Sequence, residues 1–312
     1  MKTMKAVCIY SYGGPDVLVF EDAPKPHPGE GEILVRVHAA GVNPVDWKIR
    51  EGHLKEMLKH TLPLVLGWDV SGVVTALGSG VTRFKVGDEV FSRPDISRDG
   101  AYAEYIVIRE SEVALKPKSI NHLHAAALPL AGLTAWQTLV DAAALSAGQR
   151  VLIHAAAGGV GSMAVQIAKD RGAYVIATAS ARNHDYLREL GADEIIDYET
   201  MRFDEKAAEM DVVLDTMGGE TQERSWKVLK KGGILVSIVS PPSTDTAVTY
   251  GVRSAFVFIE PNAAQLSELA ALVDAARLKV HVATVLPLAE AKRAHQLSEG
   301  GHTRGKIVLQ VL

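Results

Sequence analysis

At 312 residues the chain is long enough to fold as two domains, each with a sizeable core. Its 33 basic and 37 acidic residues leave a formal charge of −4, which offers no electrostatic footprint for DNA or RNA. Apolar runs are short and broken by charge, and the opening MKTMKAVCIYSYGG lacks the apolar core and cleavage site of a secretory signal, so a cytoplasmic protein without membrane spans is expected.

Residues 1–118 read as short strands at 6–9, 32–40, 72–77, 89–91 and 102–108. Breakers such as Gly13-Gly14-Pro15 and the proline- and glycine-rich stretch 24–31 separate them, which predicts an antiparallel, barrel-like β domain. Cys8, the single cysteine, lies in the first of these strands; it permits neither an intrachain disulfide nor a multi-cysteine metal site and reads as a small buried hydrophobe. From about residue 125 the pattern changes. Strands at 151–154, 174–179, 194–197, 212–215 and 234–239 alternate with helical stretches, which predicts a parallel sheet covered on both faces, a doubly wound α/β fold. A sixth strand is expected at 255–259. After Glu260-Pro261 come an amphipathic helix at 263–276, a strand at 280–286, a helix at 288–297 and a last strand at 306–311. The tail is assigned to the first domain, so 1–118 and 260–312 form one domain and 119–259 the other.

The most informative segment is the glycine-rich turn after the strand 151–154. Gly158, Gly159 and Gly161, with Val160 among them, precede a stretch with apolar residues at helical spacing, Met163, Val165, Ile167 and Ala168. Against the fingerprint G-x-G-x-x-G, Ala156 stands at the first glycine position, Gly158 at the second and Gly161 at the third. A backbone without Cβ atoms lets a pyrophosphate approach, and the amides that open the helix bind its charge. The strand before the turn and the second strand at 174–179 supply the context that the motif requires; the other reading is a tight turn with no ligand. At the end of that second strand an NAD site places an acid on the ribose 2′-hydroxyl, yet this chain reads Thr178-Ala179-Ser180-Ala181-Arg182. The Ser180 hydroxyl and Arg182 guanidinium suit a 2′-phosphate, which predicts NADPH; alternatively Arg182 is a solvated residue at a helix start.

Together with its companions this turn resembles the zinc-free quinone oxidoreductase branch of the medium-chain dehydrogenase/reductase superfamily. The stretches that carry the resemblance are GVNPVDWKIREG at 41–52, LGWDVSGVVTALGSGVTRFKVGDEVF at 66–91, GLTAWQTL at 132–139, the turn AAAGGVG, LGADEIIDY at 190–198 and RGKIVLQV at 304–311. The resemblance implies a GroES-like β domain with substrate contacts, joined to a Rossmann domain, and an active site in the cleft between them. The zinc alcohol dehydrogenases of that superfamily hold their catalytic metal with a cysteine at the position of Asn43, a histidine at that of Trp68 and a cysteine near Leu130. None of these residues is a zinc ligand, only Asp69 survives nearby, and the lobe with four structural cysteines is absent, so no metal is expected. His53, His60, His122 and His124 lack any zinc-motif context.

Without a Lewis acid, the implied chemistry is hydride transfer to an electron-poor acceptor, a quinone or an α,β-unsaturated carbonyl, whose conjugation spreads the developing charge onto an oxygen. The resemblance places Asn43 near nicotinamide and substrate, where its amide would donate to the acceptor carbonyl; an Asn-Pro turn is the competing account. Asp46 and Arg50 read as a buried pair that shapes the cleft, and Trp47 and Trp68 as either a flat aromatic pocket or core. Cofactor contacts are implied for Thr134, Tyr198, Gly218, Val239, Phe256, Phe258 and Lys306. For the two phenylalanines plain core alternation competes, and for Lys306 a surface ion pair. No residue must deliver the proton that completes an enone reduction, and water would suffice. The loops 52–63 and 93–100 are expected to set acceptor specificity. A reductase of simple aldehydes or acyl thioesters and a non-catalytic NADPH-binding protein remain as alternatives. In relatives the sixth strand pairs across a two-fold axis, which predicts a homodimer.

Overall fold

The computed structural model describes residues 2–312. From the N-terminus the chain runs through β1 (Thr3–Ile9), β2 (Val19–Pro24), β3 (Glu32–Val42), α1 (Pro44–Arg50), α2 (Lys55–Leu58), β4 (Leu64–Val65), β5 (Val70–Leu77), β6 (Glu89–Ser92), β7 (Tyr105–Arg109), β8 (Val113–Leu115), α3 (His122–Ala126) and α4 (Pro129–Trp136). It continues through β9 (Arg150–Ile153), α5 (Gly159–Asp170), β10 (Tyr174–Ala179), α6 (His184–Glu189), β11 (Glu194–Asp197), α7 (Phe203–Lys206), β12 (Met210–Asp215), α8 (Gly219–Ser225), β13 (Leu229–Ser237), α9 (Thr244–Tyr250) and β14 (Arg253–Phe256). The tail holds α10 (Ala263–Asp274), β15 (Val282–Pro287), α11 (Ala291–Glu299) and β16 (Lys306–Gln310).

Two compact units result, one of residues 2–130, 260–276 and 280–312, the other of Ala131–Ile259 with Arg277–Lys279. The first is the GroES-like β unit. β3, the longest strand, is its axis, pairing antiparallel with β5, β7 and β16, while β1 joins β2 and β4 in a smaller sheet. Valine, isoleucine and leucine on the inward faces of these strands, with Trp68 and Tyr102, make one buried cluster. Gly41 in β3 has no room for a side chain, because a Cβ there would sit 2.4 Å from the Ala126 carbonyl oxygen and 2.8 Å from Asp69 Cβ.

The second unit is an all-parallel sheet in the order β11-β10-β9-β12-β13-β14, the doubly wound arrangement of a Rossmann fold. Its inner strands are almost wholly buried, as expected of strands covered on both faces. β9 pairs with β10 on one side and β12 on the other, so the strand order reverses at its carboxyl end, where the glycine turn begins.

Several local expectations need correction. The sixth strand is β14, which ends at Phe256, so Phe258 lies beyond it; both rings are about two-fifths exposed, at 42% and 41%, which removes the core-alternation reading. β7 begins at Tyr105 rather than at residue 102, and β2 and α1 were not anticipated. β2 is an outer strand with mostly exposed or half-buried residues, so it shows no apolar run to read. α4 runs on into a π-helical stretch, Gln137–Ala142. No helix among the described residues is long and apolar enough to cross a membrane.

Candidate active site

In the doubly wound unit the candidate cofactor residues gather at the carboxyl ends of the strands. After β9 the chain turns through Ala155, which takes a left-handed φ of 46°, and the Gly158 amide closes the turn on the Ala155 carbonyl at 3.0 Å. Gly158 is the N-cap of α5 and no side chain among the described residues caps that helix, so its first amides are left for an incoming anion. A Cβ on Gly161 would lie 2.6 Å from both the Ala155 oxygen and Ala156 Cα, so only glycine lets the helix start this close to the turn. Val160 is half-buried on the first helical turn. This cradle fits a dinucleotide diphosphate.

Ser180 follows β10, is 4% exposed, and accepts a hydrogen bond from Asn183 Nδ2 at 3.1 Å; Arg182 is exposed two residues on. Tyr198 is exposed just past β11, and Val239 is partly exposed past β13. The turn after β12 is shaped by Asp215, which is fully buried. Its Oδ1 accepts from the amides of Met217 (2.9 Å) and Gly218 (2.8 Å), and its Oδ2 accepts from Gln222 Nε2 (2.9 Å) and Ser237 Oγ (2.8 Å). Gly218 there has φ +70°, a conformation that favours glycine. Thr134 is buried in α4, and its carbonyl accepts from Thr138 Oγ1 at 2.7 Å.

In the β unit the sequence candidates assemble into a buried polar cluster. Asn43 ends the turn after β3 and caps α1 in a capping box: its backbone amide donates to Asp46 Oδ2 at 2.8 Å. Asn43 Nδ2 donates to Asp69 Oδ2 at 2.9 Å, and the Asp69 Oδ1 accepts the Leu130 amide at 2.6 Å. Lys306, at the start of β16, is 4% exposed, so a surface ion pair is excluded; its ammonium donates to Asn43 Oδ1, to the Val42 carbonyl at 3.1 Å and to Asp69 Oδ2 at 3.2 Å. The amide orientation of Asn43 follows from chemistry, since its oxygen faces an ammonium and its nitrogen a carboxylate. Burial pushes the Asp69 carboxyl up, opposed by the Lys306 charge and the hydrogen bonds it accepts.

Asp46 and Arg50, both fully buried, do not pair with each other. Asp46 folds back onto the start of α1 and accepts from Tyr102 Oη at 2.8 Å, while Arg50, one turn later, reaches Glu51 (2.6 Å), Glu299 (2.7 Å), His295 Nδ1 (3.2 Å) and the Gly13 carbonyl (3.0 Å). Asp46 Oδ1 has no protein partner among the described residues, and burial, only partly offset by these hydrogen bonds and by Lys306, pushes the carboxyl up to about 7. Trp68 is core: it is fully buried, stacks on His60 and donates its indole N–H to the Arg98 carbonyl at 3.1 Å. Tyr102 and Arg93, whose buried guanidinium sits in the field of Asp69 and Asp46, were read only as a strand start and a loop end, because neither stands in a motif that marks a site residue.

The positions that hold zinc in metal-dependent relatives do not fit that ion here. Asn43 offers an amide, Trp68 an indole N–H that is already donated, and Leu130 an apolar side chain. The remaining carboxylate, Asp69, is taken by two N–H donors and an ammonium.

Comparison with known proteins agrees with the class of molecule that this fold and turn define, a dinucleotide-dependent oxidoreductase. Residues 29–118 match a family described as alcohol dehydrogenase GroES-like domain, and residues 190–309 one described as zinc-binding dehydrogenase. The chain is 35% identical to the zebrafish (Danio rerio) NAD(P)H oxidoreductase RTN4IP1, mitochondrial, covering 99% of this chain and 92% of that protein. It is 36% identical to the Arabidopsis thaliana NADPH-dependent alkenal/one oxidoreductase, chloroplastic, over 99% and 80% of the two chains. The structure of the quinone oxidoreductase from Coxiella burnetii superposes with a TM-score of 0.93 at 37% identity, covering 100% of both chains. The chain therefore belongs to the medium-chain dehydrogenase/reductase superfamily, in its quinone oxidoreductase branch, and is an NAD(P)H oxidoreductase of the quinone and alkenal/one reductase type.

Proposed function

We propose that the protein is an NADPH-dependent reductase of quinones or α,β-unsaturated carbonyls that works without zinc. The observation that carries this reading is the Asn43–Asp69–Lys306 cluster, which fills with an internal ion pair and an amide the place where metal-dependent relatives bind their Lewis acid. NADPH, when bound, supplies the hydride. The glycine turn with Gly158, Gly159, Val160 and Gly161 holds the diphosphate, and Ser180 with Arg182 takes the 2′-phosphate where an acid would have repelled it. Thr134, Tyr198, Gly218, Val239, Phe256 and Phe258 line the rest of the cofactor path.

Lys306 spends its three ammonium hydrogens on Val42, Asn43 and Asp69, so it orients rather than donates. Asn43 gives one amide hydrogen to Asp69 and keeps the other, which polarises the acceptor carbonyl. An acceptor that took that hydride at its conjugated carbon would move an electron pair onto its carbonyl oxygen, where the Asn43 amide would stabilise the charge, and water would supply the proton. Asp46, Arg50 and Trp68 act by holding α1 and the loop around Asn43. Two copies of the chain would associate through β14.

A fluorescence titration with NADPH and NADH tests the coenzyme assignment. Wild-type protein should prefer NADPH by at least roughly tenfold, the equivalent of about 1.4 kcal/mol for a charge-assisted pair, and Arg182→Ala should erase most of that preference. Equal affinities in the wild type would overturn it.

A further inference from the structure

The doubly wound unit buries one histidine to which the reading above gives no task. His154 follows β9 and is 1% exposed. Its Nε2 lies 2.9 Å from Ser225 Oγ and its Nδ1 3.2 Å from Thr178 Oγ1, with the Phe203 ring packed edge-on against the imidazole. The partners fix the tautomer. Ser225 donates its hydroxyl hydrogen to the Thr221 carbonyl at 2.7 Å, so its oxygen accepts from Nε2–H. Nδ1 is then the bare nitrogen and accepts from the Thr178 hydroxyl, whose oxygen accepts the Ala155 amide at 3.2 Å. One directed chain thus runs from the Ala155 amide through Thr178, His154 and Ser225 to Thr221. Thr216 Oγ1 adds a bond to the His154 carbonyl at 2.8 Å.

These residues belong to three segments that the dinucleotide reading uses separately. Ala155 is the left-handed corner of the glycine turn, Thr178 stands two residues before Ser180 on β10, and Thr221 and Ser225 lie on α8 behind Gly218. We propose that His154 is a positioning residue of the dinucleotide site, a neutral imidazole whose single donor and single acceptor lock the glycine turn, the end of β10 and α8 into one arrangement. The inference rests on the dinucleotide reading. Any buried imidazole needs both nitrogens bonded; what singles His154 out is that its partners lie on the very segments that carry the glycine turn, Ser180 and Gly218, joined in a chain with one consistent direction. Burial also keeps the ring uncharged, lowering its pKa to about 4 against the attraction of Asp215, with Arg224 adding to the fall.

The test compares His154→Leu, which removes both bonds, with His154→Gln, which keeps one donor and one acceptor, alongside Thr178→Val and Ser225→Ala. NADPH affinity and turnover at saturating NADPH are measured on each full-length protein. His154→Leu and Thr178→Val should each weaken NADPH binding by roughly tenfold and leave kcat within about twofold, since the lost bonds order the site and touch no reacting atom. His154→Gln should recover most of the affinity, and the Leu/Val double variant should bind little worse than either single one. Nitrogen NMR of the wild type should report an Nε2–H imidazole. Should His154→Leu fail to fold, Thr178→Val and Ser225→Ala carry the same comparison. NADPH binding unchanged in Thr178→Val and Ser225→Ala, a Gln variant no better than a folded Leu variant, or an Nδ1–H tautomer would overturn the inference alone. Wild-type protein that bound neither NADPH nor NADH would overturn the dinucleotide reading and this inference with it.

Discussion

Asp46 shows how far a single residue's role depends on partners that lie far away in sequence. Asp46 and Arg50 read as a buried pair, yet the carboxylate turns back to cap the helix start and the guanidinium leaves towards Glu299. The nearby residue was legible; the α11 residue that wins the arginine was not, because it stands 249 positions away. The same holds for Asn43, Asp69 and Lys306, each marked by a motif, none of which announced that the lysine is buried against the other two. The Asp46 carboxyl rises from 3.8 to about 7 on folding, so the folded state holds its proton over that range and stability falls as pH rises from about 4 through about 7, by on the order of a few kcal/mol. Asp46→Asn removes that loss. Urea unfolding of the two proteins between about pH 5 and about pH 8 should show the variant gaining on the wild type as pH rises, the difference isolating Asp46 from His154 and His295, whose lowered pKa values act in the opposite direction. Parallel curves would contradict it.

Elements were legible where physics leaves one choice. The inner strands β9, β10, β12 and β13 are covered on both faces and so read as near-continuous apolar runs, and the glycine turn announced itself because Gly161 stands where any side chain would strike backbone. Strands with one wet face were harder: β2 has no apolar run, and β14 was expected to start two residues and end three residues too late because Phe256 and Phe258 resemble strand interior although both rings are exposed. That edge carries a prediction. Among the described residues β14 pairs only with β13, and Val248, Tyr250, Phe256 and Phe258 leave exposed apolar surface in the segments around it. Light scattering at micromolar concentration should give twice the chain mass, and Phe256→Lys should return the mass of one chain. A wild-type monomer would refute the association.

Across the whole molecule, a slightly acidic chain with a β unit and a doubly wound unit combines a phosphate-ready turn with a polar cluster that cannot take zinc. Composition and order of elements made the class legible, since the charge gave no footprint for nucleic acid and alternating strands and helices pointed to a parallel sheet. The acceptor was less so, because the loops 52–63 and 93–100, which are expected to set its specificity, follow no periodic pattern. Hydride transfer from NADPH to a conjugated acceptor without a metal is the proposed reaction. Its most direct test is NADPH consumption by protein stripped of metal by chelation and dialysis, against 1,4-benzoquinone, 9,10-phenanthrenequinone, 2-alkenals, cyclic enones and saturated aldehydes. Turnover of quinones or enones with saturated aldehydes left untouched is the predicted result; activity that vanishes on stripping and returns with zinc, or reduction of saturated aldehydes alone, would contradict it.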